Sequence, residues 1–162
     1  MNGIAVCTQV GTISVWEDER GLCGVHLLRE GEEGPRGETT PLLAEAERQL
    51  LAYFAGELRE FDLPLSMAAG SAFDRSVWRA LLRIPYGEVR TYGQLARELG
   101  RPGAGRAVGG ACSRNPLLIV VPCHRVVAGT GRLTGFAAGL QTKRALLELE
   151  GRRIDGDRIA LP

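Results

Sequence analysis

Thr91-Tyr92-Gly93-Gln94-Leu95-Ala96-Arg97-Glu98-Leu99-Gly100-Arg101-Pro102-Gly103-Ala104 runs directly into Gly105-Arg106-Ala107-Val108-Gly109-Gly110-Ala111-Cys112-Ser113, and this stretch decides the fold. Thr91 followed three residues later by Gln94 is a capping box, in which the hydroxyl accepts from the first turn and the amide reaches back. Leu95, Ala96 and Leu99 then face inward. Gly100-Arg101-Pro102-Gly103 breaks the helix tightly, and a second helix is expected from Ala104 to Ser113. Two short helices across a compact turn describe a helix-turn-helix.

Working outward, residues 72–83 place Phe73, Val77, Trp78, Leu81 and Leu82 on one helical stripe, a core face ended by the turn Ile84-Pro85-Tyr86-Gly87. Downstream, Leu117 to Val121 reads as a buried strand, Gly129-Thr130-Gly131 as a hairpin, and Leu140 to Leu149 as a closing helix. Helices followed by a hairpin suggest a winged variant. Towards the N-terminus, Val10–Trp16 and Leu22–Leu28 form a hairpin across Glu17–Gly21. Leu42, Leu43, Ala46, Leu50, Tyr53 and Phe54 recur at helical spacing after Pro41, and Phe61–Leu65 reads as a short returning strand. Met67-Ala68-Ala69-Gly70 is the expected linker.

The chain has 162 residues, 44% of them hydrophobic, enough for one domain or two small ones. No apolar run approaches the ~20 residues of a membrane span, and no secretory pattern opens the chain. Four cysteines at 7, 23, 112 and 123 lack a framework spacing, which fits a reducing, cytoplasmic setting. Net charge is +1, but it is unevenly spread. Residues 1–69 hold five basic and twelve acidic side chains, net −7; residues 70–162 hold fifteen and seven, net +8. A basic half suggests a polyphosphate partner, although a division of solvated surface charge also produces such a pattern. Lys143 is the only lysine among the twenty basic residues.

Three glycines in the second helix lower its propensity by ~1 kcal/mol each relative to alanine. For Gly109 and Gly110, close packing against another helix and close approach to a ligand both remain open. The Gly105-Arg106-Ala107 edge is smooth, and it suits a minor groove ~6 Å wide that one arginine can enter. A sequence-reading helix would carry several base-reading side chains along that face, whereas this one offers essentially Arg106.

Val121-Pro122-Cys123-His124-Arg125-Val126 supplies the chemistry. A thiol is only a few per cent ionised at neutral pH, so a nucleophilic cysteine needs a base. In an extended segment Cys123 and His124 point to opposite faces, so contact between them requires a bridging water. Cys7 and Cys23, in strands, read as core, and Cys112 as packed within its helix.

Together with Asn115-Pro116, these motifs resemble the O6-alkylguanine-DNA alkyltransferase family from Ala72 to Gly151; over residues 1–66 only length, hairpin and helix order agree. The resemblance implies an α/β (α+β) protein with an RNase H-like domain over 1–66 and a winged helix-turn-helix domain over 70–155. It implies irreversible transfer of an alkyl group from O6-alkylguanine to Cys123 without cofactor or metal, with O4-alkylthymine left open as a second substrate. The implied partner is double-stranded DNA, bound through the minor groove by a monomer with the damaged base flipped out. Arg106 fills the gap in the stack, and Tyr92 rotates the base. A relay runs from Cys123 through water and His124 to Glu150, and Asn115 ties the turn before the active site. Gly105, Ala107, Gly109 and Arg125 join Arg106 and Tyr92 at the DNA. Val126, Gly135, Phe136, Ala137 and Ala138 build the base pocket, with backbone groups of Cys123 and Val126 at the guanine edge. Tyr92 is also the expected side-chain proton donor to the leaving base.

Two other classes explain part of the pattern. A non-enzymatic helix-turn-helix regulator or damage sensor accounts for the basic half but not for Pro122-Cys123-His124-Arg125. A thiol hydrolase accounts for Cys123 and His124 but not for the groove-compatible helix. Cys7, Cys23 and His26 give three loosely spaced ligands, whereas structural zinc takes four.

Overall fold

The computed structural model describes Met1–Pro162 and divides into two compact units, one of residues 1–68 with 116–120 and one of residues 69–115 with 121–162. The first is built on a three-stranded antiparallel sheet of β1 (Asn2–Thr8), β2 (Gly11–Asp18) and β3 (Gly21–Leu27), in the order β1-β2-β3. The hairpin forms as its alternation indicates, and β1 is the strand around Cys7, to which the sequence reading gave no bounds. Helix α1 (Pro41–Phe54) packs on β1 and β2. Its start is set by Thr40, whose hydroxyl accepts from the Leu43 N–H at 3.2 Å, and by Pro41, whose missing N–H is no loss in a first turn. Leu43, Ala46, Leu50, Tyr53 and Phe54 are buried, and Leu42 is half-buried.

Three expectations for this unit change. Residues 61–65 are not a strand: the contact is a single bridge between Leu65 and Leu22, because Pro64 has no N–H to extend the ladder. Gln49 holds the segment instead, its amide exchanging bonds of 2.9 Å with the Asp62 N–H and carbonyl. Leu117–Val121 is buried, as its hydrophobicity indicates, but it too makes only one bridge, Leu117 to Val25. Ile119 turns the chain with φ of 72°, a left-handed conformation unusual for a β-branched residue, so no extended run forms. Cys7 is exposed and Cys23 half-exposed rather than core, because each falls on the outer side of its strand.

In the second unit, α2 (Ala72–Leu82) and α3 (Tyr92–Glu98) both pack on α4 (Gly105–Ser113). Val77, Trp78 and Leu81 are buried, and the Trp78 indole N–H donates to the Ala111 carbonyl at 2.9 Å, capping the end of α4. Phe73 is half-buried and Leu82 exposed, so the buried stripe of α2 is narrower than expected. The capping box of α3 is complete: the Gln94 N–H donates to Thr91 Oγ1 at 3.1 Å, and the Thr91 N–H to Gln94 Oε1 at 2.8 Å. A two-residue parallel pair, β4 (Arg90–Thr91) with β5 (Val126–Val127), ties the start of α3 to the segment after Cys123. Helix α5 spans Leu140–Leu149.

Residues 128–131 form a turn rather than a separate hairpin. Its far side pairs with the hairpin of β6 (Ile154–Asp155) and β7 (Arg158–Ile159), through Leu133 N–H to Asp157 O at 2.8 Å and Ile159 N–H to Gly131 O at 2.9 Å. Val89, Val127, Leu133, Leu147, Ile154 and Ile159 form the core beneath this wing. Truncating one such leucine to alanine typically costs about 2–5 kcal/mol. No helix is long and apolar enough to cross a membrane.

Candidate active site

Cys123, His124 and Arg125 occupy one 3₁₀ turn, which Pro122 enters and in which the Val126 N–H closes on the Cys123 carbonyl. The turn replaces the extended segment expected here. Successive side chains in such a turn diverge by roughly 120°, so Cys123 and His124 still point apart, for a different reason. Cys123 is buried at the base of a cavity of about 450 Å³. Tyr92 of α3, Gly109, Cys112 and Ser113 of α4, and the segment from Thr134 to Ala137 complete its lining. A hollow of about 660 Å³ beside Met1, residues 17–20 and Ala68 is larger but holds neither a thiol nor an imidazole, so the chemistry belongs to the smaller one.

Asn115 anchors the thiol. Its side-chain amide donates to the Val121 carbonyl at 2.9 Å and to Cys123 Sγ at 3.2 Å, and it is buried. The chain leaves this unit at Asn115 and re-enters at Val121, and the bond between them closes that loop beside the sulfur. Burial pushes the Cys123 thiol up, while the Asn115 hydrogen bond and the charge of Lys143 pull it down. Cys112 lines the same cavity without a hydrogen-bond donor, and burial, reinforced by Cys123, pushes it up to about 12. Of the two pocket thiols, Cys123 is therefore the one equipped to become a thiolate.

Behind Cys123, His124 is sealed from solvent and its Nε2 lies 2.7 Å from Glu150 Oε2. Nδ1 is buried and has no partner within the protein. Burial pushes the imidazole down, against the pull of Glu150 and with help from the charges of Arg125 and Lys143. Burial alone would raise Glu150, but the bonds and charges of His124 and Arg125 hold it well below the usual carboxylate range. A neutral imidazole whose Nε2–H donates to an anionic carboxylate carries its lone pair on Nδ1, the state a general base needs.

The remaining expected residues divide. Arg106 and Ala107 are exposed on the first turn of α4, with Gly105 half-buried behind them. Gly109 does not share that outer edge; it lines the cavity, where an added methyl would meet the Tyr92 ring at 3.7 Å, an ordinary contact. Close helix packing is therefore not what calls for glycine there. Arg125 is buried and bonded to Glu150 and the Ile84 carbonyl, so it does not sit on a DNA-facing surface. Gly135, Phe136 and Ala137 line the cavity, whereas Val126 and Ala138 do not. Val126 is fully buried, and its carbonyl accepts from Lys143 Nζ at 2.6 Å, while the Cys123 carbonyl accepts from the Val126 N–H; each oxygen keeps a second lone pair. The Tyr92 hydroxyl, on the cavity wall, donates to the Thr134 carbonyl at 3.3 Å.

Sequence reasoning missed Lys143 as a site residue. It is fully buried in α5 and bonds the carbonyls of both Val126 and Thr134, joining the thiol turn to the cavity rim. Burial pushes it down to about 8, partly offset by Cys123 and Cys112. The available signal was its spacing: Leu140, Lys143, Leu146 and Leu147 mark one helical face, and Lys143 is the single charge on it. No cluster of three or more His, Cys, Asp or Glu side chains is placed to hold a metal.

Comparison with known proteins matches residues 72–152 to the DNA-binding domain of 6-O-methylguanine DNA methyltransferase and residues 6–67 to its ribonuclease-like domain. The chain is 50% identical over 146 residues to a methylated-DNA–protein-cysteine methyltransferase of Methanosarcina acetivorans, covering 88% of this chain and 93% of the relative. A Mycobacterium tuberculosis protein of the same name is 50% identical over 139 residues, 84% of each chain. Among solved structures, the Mycobacterium tuberculosis O6-methylguanine methyltransferase superposes with a TM-score of 0.84 at 42% identity, covering 96% of both chains. The Mycobacterium tuberculosis OGT in complex with DNA gives 0.83 at 42% identity, covering 93% of this chain and 92% of that one.

Proposed function

The chain belongs to the 6-O-methylguanine DNA methyltransferase family, and on that premise we propose how its own residues carry out the transfer. It is a DNA-binding methylated-DNA–protein-cysteine methyltransferase that repairs O6-alkylguanine by direct reversal. The alkyl carbon is attacked by Cys123 Sγ; the S–C bond forms as the C–O6 bond breaks, and guanine leaves with the bonding pair and takes a proton from water to become the neutral base. The thiol proton passes through one bridging water to His124 Nδ1, while His124 keeps its Nε2 proton on the Glu150 carboxylate. The product is a thioether, which no group in the site can reverse, so each molecule acts once. The observation that carries this reading is the Asn115 amide 3.2 Å from a thiol that opens on a cavity, with an imidazole and its carboxylate directly behind.

Access to a base in duplex DNA requires flipping, which costs a few kcal/mol of stacking and pairing. Arg106, exposed on the first turn of α4, is placed to fill the vacated stack from the minor groove, with Gly105 and Ala107 leaving room for close approach. Tyr92 in the cavity wall contacts the extruded base, and Phe136 offers a second ring from the same lining. The protein acts as a monomer.

Mass spectrometry after incubation with duplex DNA carrying O6-methylguanine tests the assignment. One added methyl on the Cys123 peptide, absent in Cys123→Ser, is expected. An unmodified protein that still binds the duplex would make the chain a damage sensor, and a methyl on Cys112 would move the nucleophile.

A further inference from the structure

Arg125 lies buried behind the thiol turn and uses its guanidinium as a clamp. Nε donates to Glu150 Oε1 at 2.8 Å, and the terminal nitrogens donate to Glu150 Oε2 at 3.0 Å and to the Ile84 carbonyl at 2.7 Å. Its central carbon lies 5.8 Å from the centre of the Tyr86 ring, and the Tyr86 hydroxyl in turn donates to the Leu149 carbonyl at 3.2 Å. The Gly87 N–H adds a bond of 3.1 Å to Glu150 Oε1. The turn after α2 thus grips both the guanidinium and the end of α5, and the guanidinium takes both oxygens of the carboxylate to which His124 donates.

We infer that Arg125 is a positioning residue for alkyl transfer, whose two-pronged hold on Glu150 fixes the carboxylate as acceptor of the His124 Nε2 proton and keeps His124 in its neutral form. The inference rests on the proposed relay and adds a member that touches neither substrate nor thiol. A buried carboxylate with an imidazole as its only partner favours imidazolium, which has no lone pair for the thiol proton. A second cation on the same carboxylate opposes that outcome. The charged and titratable groups acting on His124 are Glu150 and Lys143 from α5 and Arg125 from its own turn; the two cations push it down and Glu150 pulls it up. A bidentate fork also sets the carboxylate plane, which a single-point ammonium cannot do.

Single-turnover methyl transfer from O6-methylguanine duplex, measured against pH with protein in excess, separates charge from geometry. Arg125→Gln removes the charge, so His124 protonates more readily. The rising limb of the rate profile is expected to move up by about one pH unit, with an about tenfold loss at neutral pH that closes as the medium becomes alkaline. Arg125→Lys keeps the charge and loses the fork, so the limb stays in place while the rate falls at least about threefold. Circular dichroism fixes a temperature at which each variant is folded. Should Arg125→Gln not fold, Arg125→Lys is decisive, since a rate equal to the parent's overturns the fork. An Arg125→Gln limb that coincides with the parent's, or a loss of equal size at every pH, overturns the inference and leaves a structural ion pair. Failure of the parent to methylate Cys123 would instead overturn the relay itself, and is read separately.

Discussion

Two parts of the second unit make opposite use of charge. At the turn of residues 123–125, a histidine, an arginine and a glutamate are closed off from solvent and hydrogen-bonded to one another. On the first turn of α4, Arg106 stands exposed between Gly105 and Ala107, with no side chain capping the helix start. The charges of the buried cluster are paired with one another, as sealed charges must be, and only His124 Nδ1 lacks a partner within the protein. The exposed arginine is solvated and free to be taken up by a partner, as proposed above. On the proposed reading, catalytic preparation and target recognition fall on neighbouring segments, and substitutions should cost stability as well as rate in the buried cluster but function alone at Arg106.

The strongest contrast should come from Glu150→Ala. It leaves Arg125 and His124 buried with no counter-charge, and a loss of about 3–5 kcal/mol in urea unfolding is expected. The folded pKa of Glu150 lies below its ordinary value of 4.5, so its contribution is in place above that value and drains away only in stronger acid. A loss under about 1 kcal/mol would fit a solvated surface pair instead and break the comparison.

An intermediate effect is expected from Asn115→Ala, which removes two donors from the closure beside the thiol and should cost about 1–3 kcal/mol. The Asn115 bond lowers the Cys123 pKa, so its loss raises that pKa and reduces the thiolate fraction at neutral pH. Alkylation by iodoacetamide against pH should show the shift upwards; an unchanged profile would reduce Asn115 to a loop staple.

Arg106→Ala should be the smallest change in stability, within about 0.5 kcal/mol, as for surface sites generally. Its effect belongs to recognition: repair of duplex DNA should fall at least about tenfold, while alkylation by free O6-methylguanine, which needs no flipping, is unchanged. Equal losses on both substrates would place Arg106 in the cavity chemistry rather than at the DNA.

What could be read beforehand follows the same division. The helix-turn-helix was legible because its signals are local: Thr91 with Gln94, the break at residues 100–103, and the apolar spacing of each helix. The sheet hairpin was legible by alternation, whereas β1 was read only as a strand around Cys7, without bounds, although it pairs with β2 along its whole length. The buried cluster was not readable from pattern. Glu150 looks like any helix-end acid, and only the family resemblance joined it to His124, 26 positions away. Arg125 was assigned to the DNA because a lone arginine beside a polar residue gives no sign that Ile84, Tyr86 and Glu150 converge on it. Hydrophobicity likewise identified Leu117–Val121 as buried but could not reveal that Ile119 would reverse the chain.

Lys143 also bears on how the molecule can be observed. The chain's single ε-amine is withdrawn from solvent and occupied by two carbonyls, while every other basic side chain is a guanidinium. An acylating reagent therefore meets no lysine on the native surface, and its reaction with Lys143 counts the openings that break the bridge between the thiol turn and the cavity rim. The protein carries a built-in clock for the breathing of its own active site.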